Sequence, residues 1–365
     1  MKNKENVKLA IILGTRPEII KLSSIIQACQ TQKLNYFILH TNQHYSENLD
    51  KVFFNDLRLP QPKYNLNVGS GTHAEETGKI LIGIERILLK DRPNIILVQG
   101  DTNTVLAGAL SATKLHIKIG HIEAGLRSYF RKMPEEINRI LTDHCSDLLF
   151  APTEKAKEIL LSEGIPKNKI FVTGNTIVDV IYQNLKLAKK KSKILNKLNL
   201  KHSKYFLLTL HRQENVDKKE RLKEILQGLN LICQKIKLPI IYPIHPRTEK
   251  MLQKFNLKVP HGIKLIEPTG FLDFLQLENN AKLILTDSGG VQEEACILKI
   301  PCVTLRDNTE RPETIEVGAN LLAGKNPQKI LNCVSKMLNK KRDWDNPFGA
   351  GGTGGEILEI IKKTI

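Results

Sequence analysis

Several short stretches of this chain combine residue types that bind anions or move protons, and most of them follow apolar, β-branched runs. After residues 8–13 comes Gly14-Thr15-Arg16-Pro17-Glu18, with Lys21 a turn further on. Glycine permits a tight turn and proline suits the first position of a helix. Arg16 is therefore expected at a helix N-terminus, where a guanidinium and exposed N–H groups together hold a phosphate. The plainer reading is a solvated surface Arg and Lys. After residues 95–99 comes Gly100-Asp101-Thr102-Asn103-Thr104, and residues 117–122 lead into Glu123-Ala124-Gly125-Leu126-Arg127. A further helix opens with Met133-Pro134-Glu135-Glu136-Ile137-Asn138-Arg139. Asp101, Glu123 and Glu135 could each serve as a capping group. Three on one rim exceed what capping needs, and such a group can supply both an acid and a base if burial separates their pKa values.

The second half has its own rim. Residues 205–210 end in His211-Arg212-Gln213-Glu214-Asn215, and residues 240–244 end in His245-Pro246-Arg247. Residues 282–286 end in Asp287-Ser288-Gly289-Gly290, followed by Val291-Gln292-Glu293-Glu294. Ser288, Gly289 and Gly290 at a helix N-terminus would expose N–H groups to an anion. Glu294, one turn into that helix, could reach a ribose hydroxyl. Arg306 and Asn308-Thr309-Glu310-Arg311-Pro312-Glu313 follow the next strand. Gly69-Ser70-Gly71-Thr72-His73-Ala74, with Asp91 further on, imitates a nicotinamide-binding fingerprint. Its strand, 64–68, is weak, and residues 14–18 already occupy the best first turn. The glycine run 349–355 is either a phosphate loop or, as such runs more often are, a flexible joint. There is no P-loop and no His/Cys cluster with metal-ligand spacing, so neither metal nor redox cofactor is expected.

The elements that must position these residues alternate. Strands are expected at 8–13, 36–41, 95–99, 117–122, 147–151 and 169–173, then at 205–210, 240–244, 263–266, 282–286, 302–305 and 320–323, with helical spacing such as Ile80-Ile84-Ile87-Leu88 between them. Strand–helix alternation predicts α/β architecture with parallel sheets covered on both faces. Two sets of strands imply two Rossmann-like, doubly wound domains with ligands beyond the strands' carboxyl ends. Residues 186–204 separate the sets and hold eight lysines. Leucines at 187, 195, 198 and 200, and no aromatic before Tyr205, make this the wet face of a helix or linker rather than a base-stacking surface.

With 365 residues, 41% apolar and 25% charged, the chain suits two full cores. It lacks an 18-residue apolar run and its first residues lack an apolar signal core, so no membrane partner is expected. Six scattered cysteines fit reduced thiols in a cytoplasm. The net charge of +17 suits an anionic partner, here a phosphorylated substrate rather than nucleic acid.

The motifs GTRPEIIKLS (14–23), GDTNT (100–104), HIEAGLRS (121–128), PEEINR (134–139), TGNTIVD (173–179), HRQEN (211–215), TDSGGVQEEA (286–295), RDNTERPE (306–313) and NPFGAGG (346–352) together resemble the non-hydrolysing UDP-N-acetylglucosamine 2-epimerases. The hydrolysing relatives carry a GTRAD-like first motif, so Pro17-Glu18 argues against them. The resemblance implies a glycosyltransferase-B-like pair of Rossmann-like domains facing a central cleft, residues 1–176 and 177–349, with a C-terminal helix (350–365) returning to the first. It implies that Arg16, Ser288, Gly289 and Gly290 hold a diphosphate, that Glu294 holds the ribose, and that Asp101, Glu123, Glu135 and His211 surround the reacting sugar. Lys21, Arg139, His245 and Arg311 are expected to bind substrate, and a homodimer is expected. The C2 hydrogen of such a sugar has no adjacent carbonyl. Epimerisation without a redox cofactor therefore suggests loss of UDP from C1 to give a 2-acetamidoglucal, followed by re-addition. Three features depart from bacterial members that bind a second UDP-sugar as activator, namely residues 43–49, Gln213 and the tail of His245-Pro246-Arg247, where those members have HxNP. The IIKLS and FFNDL (53–57) strings also resemble epimerases of UDP-2,3-diacetamido uronic acids. A glycosyltransferase on the same frame is the remaining alternative.

Overall fold

The computed structural model describes residues 7–42 and 53–365; the departure at 43–49 lies outside them. The chain divides into two compact units, Met1–Tyr182 with Phe348–Ile365, and Gln183–Pro347.

Among its described residues unit 1 has seven strands: β1 (Lys8–Leu13), β2 (Asn35–His40), β3 (Tyr64–Asn65), β4 (Ile95–Gln99), β5 (Lys118–Ile122), β6 (Leu148–Ala151) and β7 (Ile170–Val172). All pair in parallel in the order β3-β2-β1-β4-β5-β6-β7. The central strands are buried on both faces, as their unbroken apolar runs require. Ala10, Ile12 and Val98 pack with Ile80, Ile84 and Leu88 of the helix His73–Lys90 and with Val105, Ala109 and Ala112 of the helix Asn103–Lys114. Unit 2 carries six parallel strands, β8 (Phe206–Thr209), β9 (Ile240–Pro243), β10 (Ile263–Ile266), β11 (Leu283–Thr286), β12 (Cys302–Thr304) and β13 (Asn320–Leu322), in the order β10-β9-β8-β11-β12-β13. One face buries Phe206 and Leu208 against Leu222, Ile225, Ile330 and Val334; the other buries Tyr205, Leu207 and Ile284 against Leu277 and Ala295.

Strand order reverses between β1 and β4 in one sheet and between β8 and β11 in the other. Loops leaving the carboxyl ends of such neighbours diverge, and ligands bind where they part. All twelve expected strands are present. The thirteenth, β3, is a two-residue edge strand at the start of the stretch 64–68, read from sequence only as a weak strand.

The eight lysines of 186–204 are exposed, while Leu195, Leu198 and Leu200 pack on the core, so this stretch is a solvated face. The Gly-rich run does not form the free joint expected of it. Asp179, buried in the helix Thr176–Lys191, accepts N–H bonds from Gly352 (2.6 Å), Thr353 (3.3 Å) and Gly354 (2.8 Å). These are N-terminal amides of the helix Thr353–Thr364, which have no carbonyl partner within their own helix. Glycine is needed at 354 because a Cβ would lie 3.0–3.2 Å from the backbone of Ser24 and Ile25. Among the described residues no helix is long and apolar enough to cross a membrane.

Asp179→Ala should destabilise unit 1 by about 1–3 kcal/mol, the cost of orphaning buried donors. Hydrogen exchange should show residues 353–364 opening first; unchanged protection there would remove Asp179 from this role.

Candidate active site

At the switch point of unit 1, the helix Arg16–Thr31 starts directly after the β1 loop with Pro17 in its first turn. Gly14 has no room for a side chain, since a Cβ would stand 2.2 Å from the hydroxyls of both Thr41 and Thr104. Arg16 is half-buried, its guanidinium 5.7 Å from the centre of the Phe53 ring. Glu18, 1% exposed, turns back over the loop. Its Oε2 accepts the N–H of Gly14 (2.5 Å) and Thr15 (2.8 Å), and its Oε1 accepts the hydroxyl of Thr102 (2.5 Å) in the β4 loop. Burial pushes the Glu18 carboxyl up to about 7 despite those donors.

Lys21, expected to bind substrate, forms a buried ion pair with Glu123. Glu123 also accepts from Gln99 Nε2 (2.7 Å) and Asn175 Nδ2 (2.9 Å). Its φ of +66° is uncommon for a residue with a Cβ and is held by these partners. Glu123 lies close beneath the β4 loop, as a Cβ on Gly100 would be 4.0 Å from its Oε2. Asp101 is about a third exposed and receives Arg139 Nε (3.2 Å) and Nη2. Arg139 also pairs with Glu136, which accepts from the backbone N–H groups of Ser128 (2.9 Å) and Tyr129 (2.7 Å). The structure thus brings Asp101, Arg139, Lys21 and Glu123 to one rim, and leaves Glu135 half-buried in the first turn of the helix Pro134–Cys145.

Behind the rim, buried His121 places Nδ1 2.6 Å from Asp143 and Nε2 2.8 Å from the carbonyl of Gly100. Asp143 also receives Arg127 (2.7 Å). Burial raises its pKa, but His121 and Arg127 outweigh this and hold the carboxyl below its usual value. The nicotinamide-like turn is a capped helix start: Thr72 accepts from Glu75 N, and Gly71 donates to Glu76. Asp91, the carboxylate such a fingerprint would use, is bound by Lys8, Lys63 and Tyr64 at the other end of that helix.

In unit 2, Asp287 is fully buried at the β11 end and accepts the N–H of His211 (3.1 Å), the N–H of Arg212 (2.9 Å) and Asn215 Nδ2 (3.1 Å) at the β8 end. The His211 and His245 rings lie 5.4 Å apart, inclined by 31°. Desolvation lowers the His211 pKa, opposed by Asp287 and aided by Arg212 and Arg306. Ser288 caps the helix Gly289–Ile297. The amides of Gly289 and Gly290, in its first turn, have no carbonyl four residues back within the helix. A Cβ on Gly289 would be 2.4 Å from Glu310, whereas at Gly290 the nearest atom is Ser288 Oγ at 3.9 Å, so the approach there is open. Glu294 bonds to the buried carboxyl of Glu278, whose pKa burial and Glu294 push well up. Arg311 is buried against Glu293. Arg306, 1% exposed, joins Glu214 (3.1 Å) and Glu310 (2.8 Å).

Sequence reading missed Glu18, Glu136, Asn175, Asp287 and Glu278. Four of these lie inside motifs it used, and only burial tells their roles apart from those of their neighbours.

The raised Glu18 pKa has a stability consequence. Between pH 4.5 and 7 the unfolded chain ionises this carboxyl while the folded chain keeps it protonated, so folding stability is lost as pH rises through about 7. Glu18→Gln, neutral at every pH, should gain about 2–3 kcal/mol on wild type between pH 5 and pH 8. Denaturant unfolding at the two pH values checks this; a difference that does not change with pH contradicts it.

A UDP-N-acetylglucosamine 2-epimerase family model matches residues 27–362. The UDP-N-acetylglucosamine 2-epimerase of Methanocaldococcus jannaschii is 63% identical over 361 residues, covering 97% of this chain and 99% of the relative. A crystal structure of the M. jannaschii enzyme, in complex with UDP-GlcNAc and UDP, superposes with a TM-score of 0.94 over 98% of this chain and 100% of that one. The UDP-2,3-diacetamido-2,3-dideoxy-D-glucuronate 2-epimerase of Pseudomonas aeruginosa is 41% identical over 98% of this chain and 100% of its own. With the family model matching most of the chain and relatives 63% and 41% identical over nearly its whole length, this chain belongs to the UDP-N-acetylglucosamine 2-epimerase family.

Proposed function

We propose that the protein interconverts UDP-N-acetylglucosamine and UDP-N-acetylmannosamine by eliminating and re-adding UDP. The observation that carries this reading is the rim of unit 1, where Glu123 and Asp101 stand on neighbouring strand ends, each held by a cation. Two carboxylates in unequal surroundings, one buried and one part-exposed, suit two proton-transfer roles. In the elimination a base takes the C2 proton, the C1–O bond breaks with its electron pair leaving on the diphosphate, and a C1=C2 double bond forms. In the return, an acid delivers a proton to the opposite face of C2 as UDP re-adds at C1. Asp101, Glu123 and Glu135 are the proton carriers proposed, with His211 assisting. Arg16 and the Ser288–Gly290 helix start would stabilise the leaving diphosphate, and Glu294 would hold the ribose. Lys21 is assigned to Glu123 rather than to phosphate, because the pair is buried. Arg311 would hold the 306–313 segment in place through its buried pair with Glu293.

The substrate reading follows the 63% identical relative. The diacetamido-uronate alternative has a 41% identical relative behind it, and a panel of UDP-sugars decides between them. A non-hydrolysing reaction without added cofactor, in a cytoplasmic homodimer that supplies glycan precursor, completes the proposal. Incubation with UDP-GlcNAc alone distinguishes it from a glycosyltransferase: a second anomeric signal in NMR without any acceptor is expected, and inertness until an acceptor is added would sink the epimerase reading.

Asp101→Asn and Glu123→Gln should each lower turnover by about two to four orders of magnitude with UDP affinity nearly unchanged. Arg16→Ala should weaken UDP binding by about 1.5–3 kcal/mol in calorimetry. Gly290→Val fits the fold, where the nearest atom to a Cβ is Ser288 Oγ at 3.9 Å, yet should abolish UDP binding by filling the anion's approach. A folded Val variant that binds UDP normally would remove the helix start from the site.

A further inference from the structure

We propose that Glu18 is a positioning residue that clamps the loop carrying Arg16 to the loop carrying Asp101; this rests on the function proposed above. Thr15, whose N–H it accepts, immediately precedes Arg16, and Thr102, whose hydroxyl it accepts, immediately follows Asp101. The β1–β4 pairing runs from Leu9↔Ile95 to Ile11↔Leu97. Past the strand ends the loops diverge, and the Glu18 side chain spans them.

Helix capping alone does not account for this carboxyl. The helix His73–Lys90 has the same device, a capping box of Thr72 and Glu75, and there the glutamate is exposed. A capping carboxylate in water incurs no desolvation cost. Glu18 incurs a large one, visible in its pKa of about 7, and directs its second oxygen to a residue 84 positions away. The geometry a clamp needs is a rigid, buried group with one oxygen for each loop, and Glu18 supplies it. Displacing a reacting group by about 1 Å can cost about 100-fold in rate, so the clamp's effect is expected in turnover as well as in stability.

The test compares Glu18→Ala, Glu18→Gln and Thr102→Val in the full chain, reading turnover of UDP-GlcNAc, UDP affinity and amide hydrogen exchange of segments 14–18 and 100–104. Glu18→Ala should lower turnover about 100-fold, weaken UDP about 10-fold and speed exchange in both segments. Glu18→Gln should recover most of the turnover, because its carbonyl can take the two N–H groups and its NH2 can donate to Thr102. Thr102→Val cuts only the Asp101 side, so turnover should fall while UDP affinity holds, with Thr102→Ser restoring it. A folded Ala variant with unchanged turnover, or with faster exchange in one segment only, overturns the clamp. So does a Gln variant as poor as Ala, which would make the carboxylate itself the active group. If the Ala variant does not fold, Thr102→Val decides, and unchanged turnover there overturns the proposal. If wild type leaves UDP-GlcNAc unchanged, the function reading fails and hydrogen exchange alone decides the clamp.

Discussion

A parallel sheet whose strand order reverses leaves two neighbouring strands with loops that turn away from each other. The backbone groups at the mouth of that gap lose their ladder partners while still partly buried, and something must satisfy them. In both units a buried carboxylate meets this need. Glu18 ties the β1 loop to the β4 loop in unit 1, and Asp287 ties the β11 end to the amides of His211 and Arg212 in unit 2. One acts from the first turn of a helix and the other from a strand end, so the solution is chemical rather than a repeat of sequence. Arg16 and Asp101 each sit next to a residue held by the first bridge, and His211 is held directly by the second.

Carrying so many charges inside costs stability, since desolvation of an ion pair commonly offsets its attraction. The pattern makes better sense as placement. Lys21 and Glu123, Arg139 between Asp101 and Glu136, and Arg306 between Glu214 and Glu310 each fix a loop that could not be fixed by apolar packing. Unit 1 presents carboxylates with bound cations, and unit 2 presents amides at a helix start, arginines and a pair of imidazoles.

Most of the architecture was legible in the sequence, because buried parallel strands are short unbroken runs of Ile, Leu and Val and their ends carry Gly, Asp, His and Ser. β3 shows only as a weak strand at 64–68, because Asn65 and Asn67 interrupt its apolar run. The site was legible in its motifs but not in its depth. In Glu135-Glu136 the sequence marks both residues equally, and only the helix phase buries Glu136 onto Ser128 and Arg139. In GTRPE, attention falls on Arg16, while Glu18 looks like ordinary capping until the fold brings Thr102 to it. The Lys21 pair was not legible, because nothing in sequence places Glu123, 102 positions away, against its ammonium. The glycine run reads as a joint because its anchor, Asp179, lies more than 170 residues earlier.

The fate of one hydrogen tests the proton-transfer roles of the unit 1 rim most directly. Wild-type protein incubated with UDP-GlcNAc in heavy water, without added nucleotide cofactor, should place deuterium at C2 of both epimers, because the proton taken by a carboxylate exchanges with solvent before another is returned. Conversion that keeps the original hydrogen at C2 would contradict the proton-transfer roles proposed for Asp101 and Glu123, and with them the central reading of the unit 1 rim.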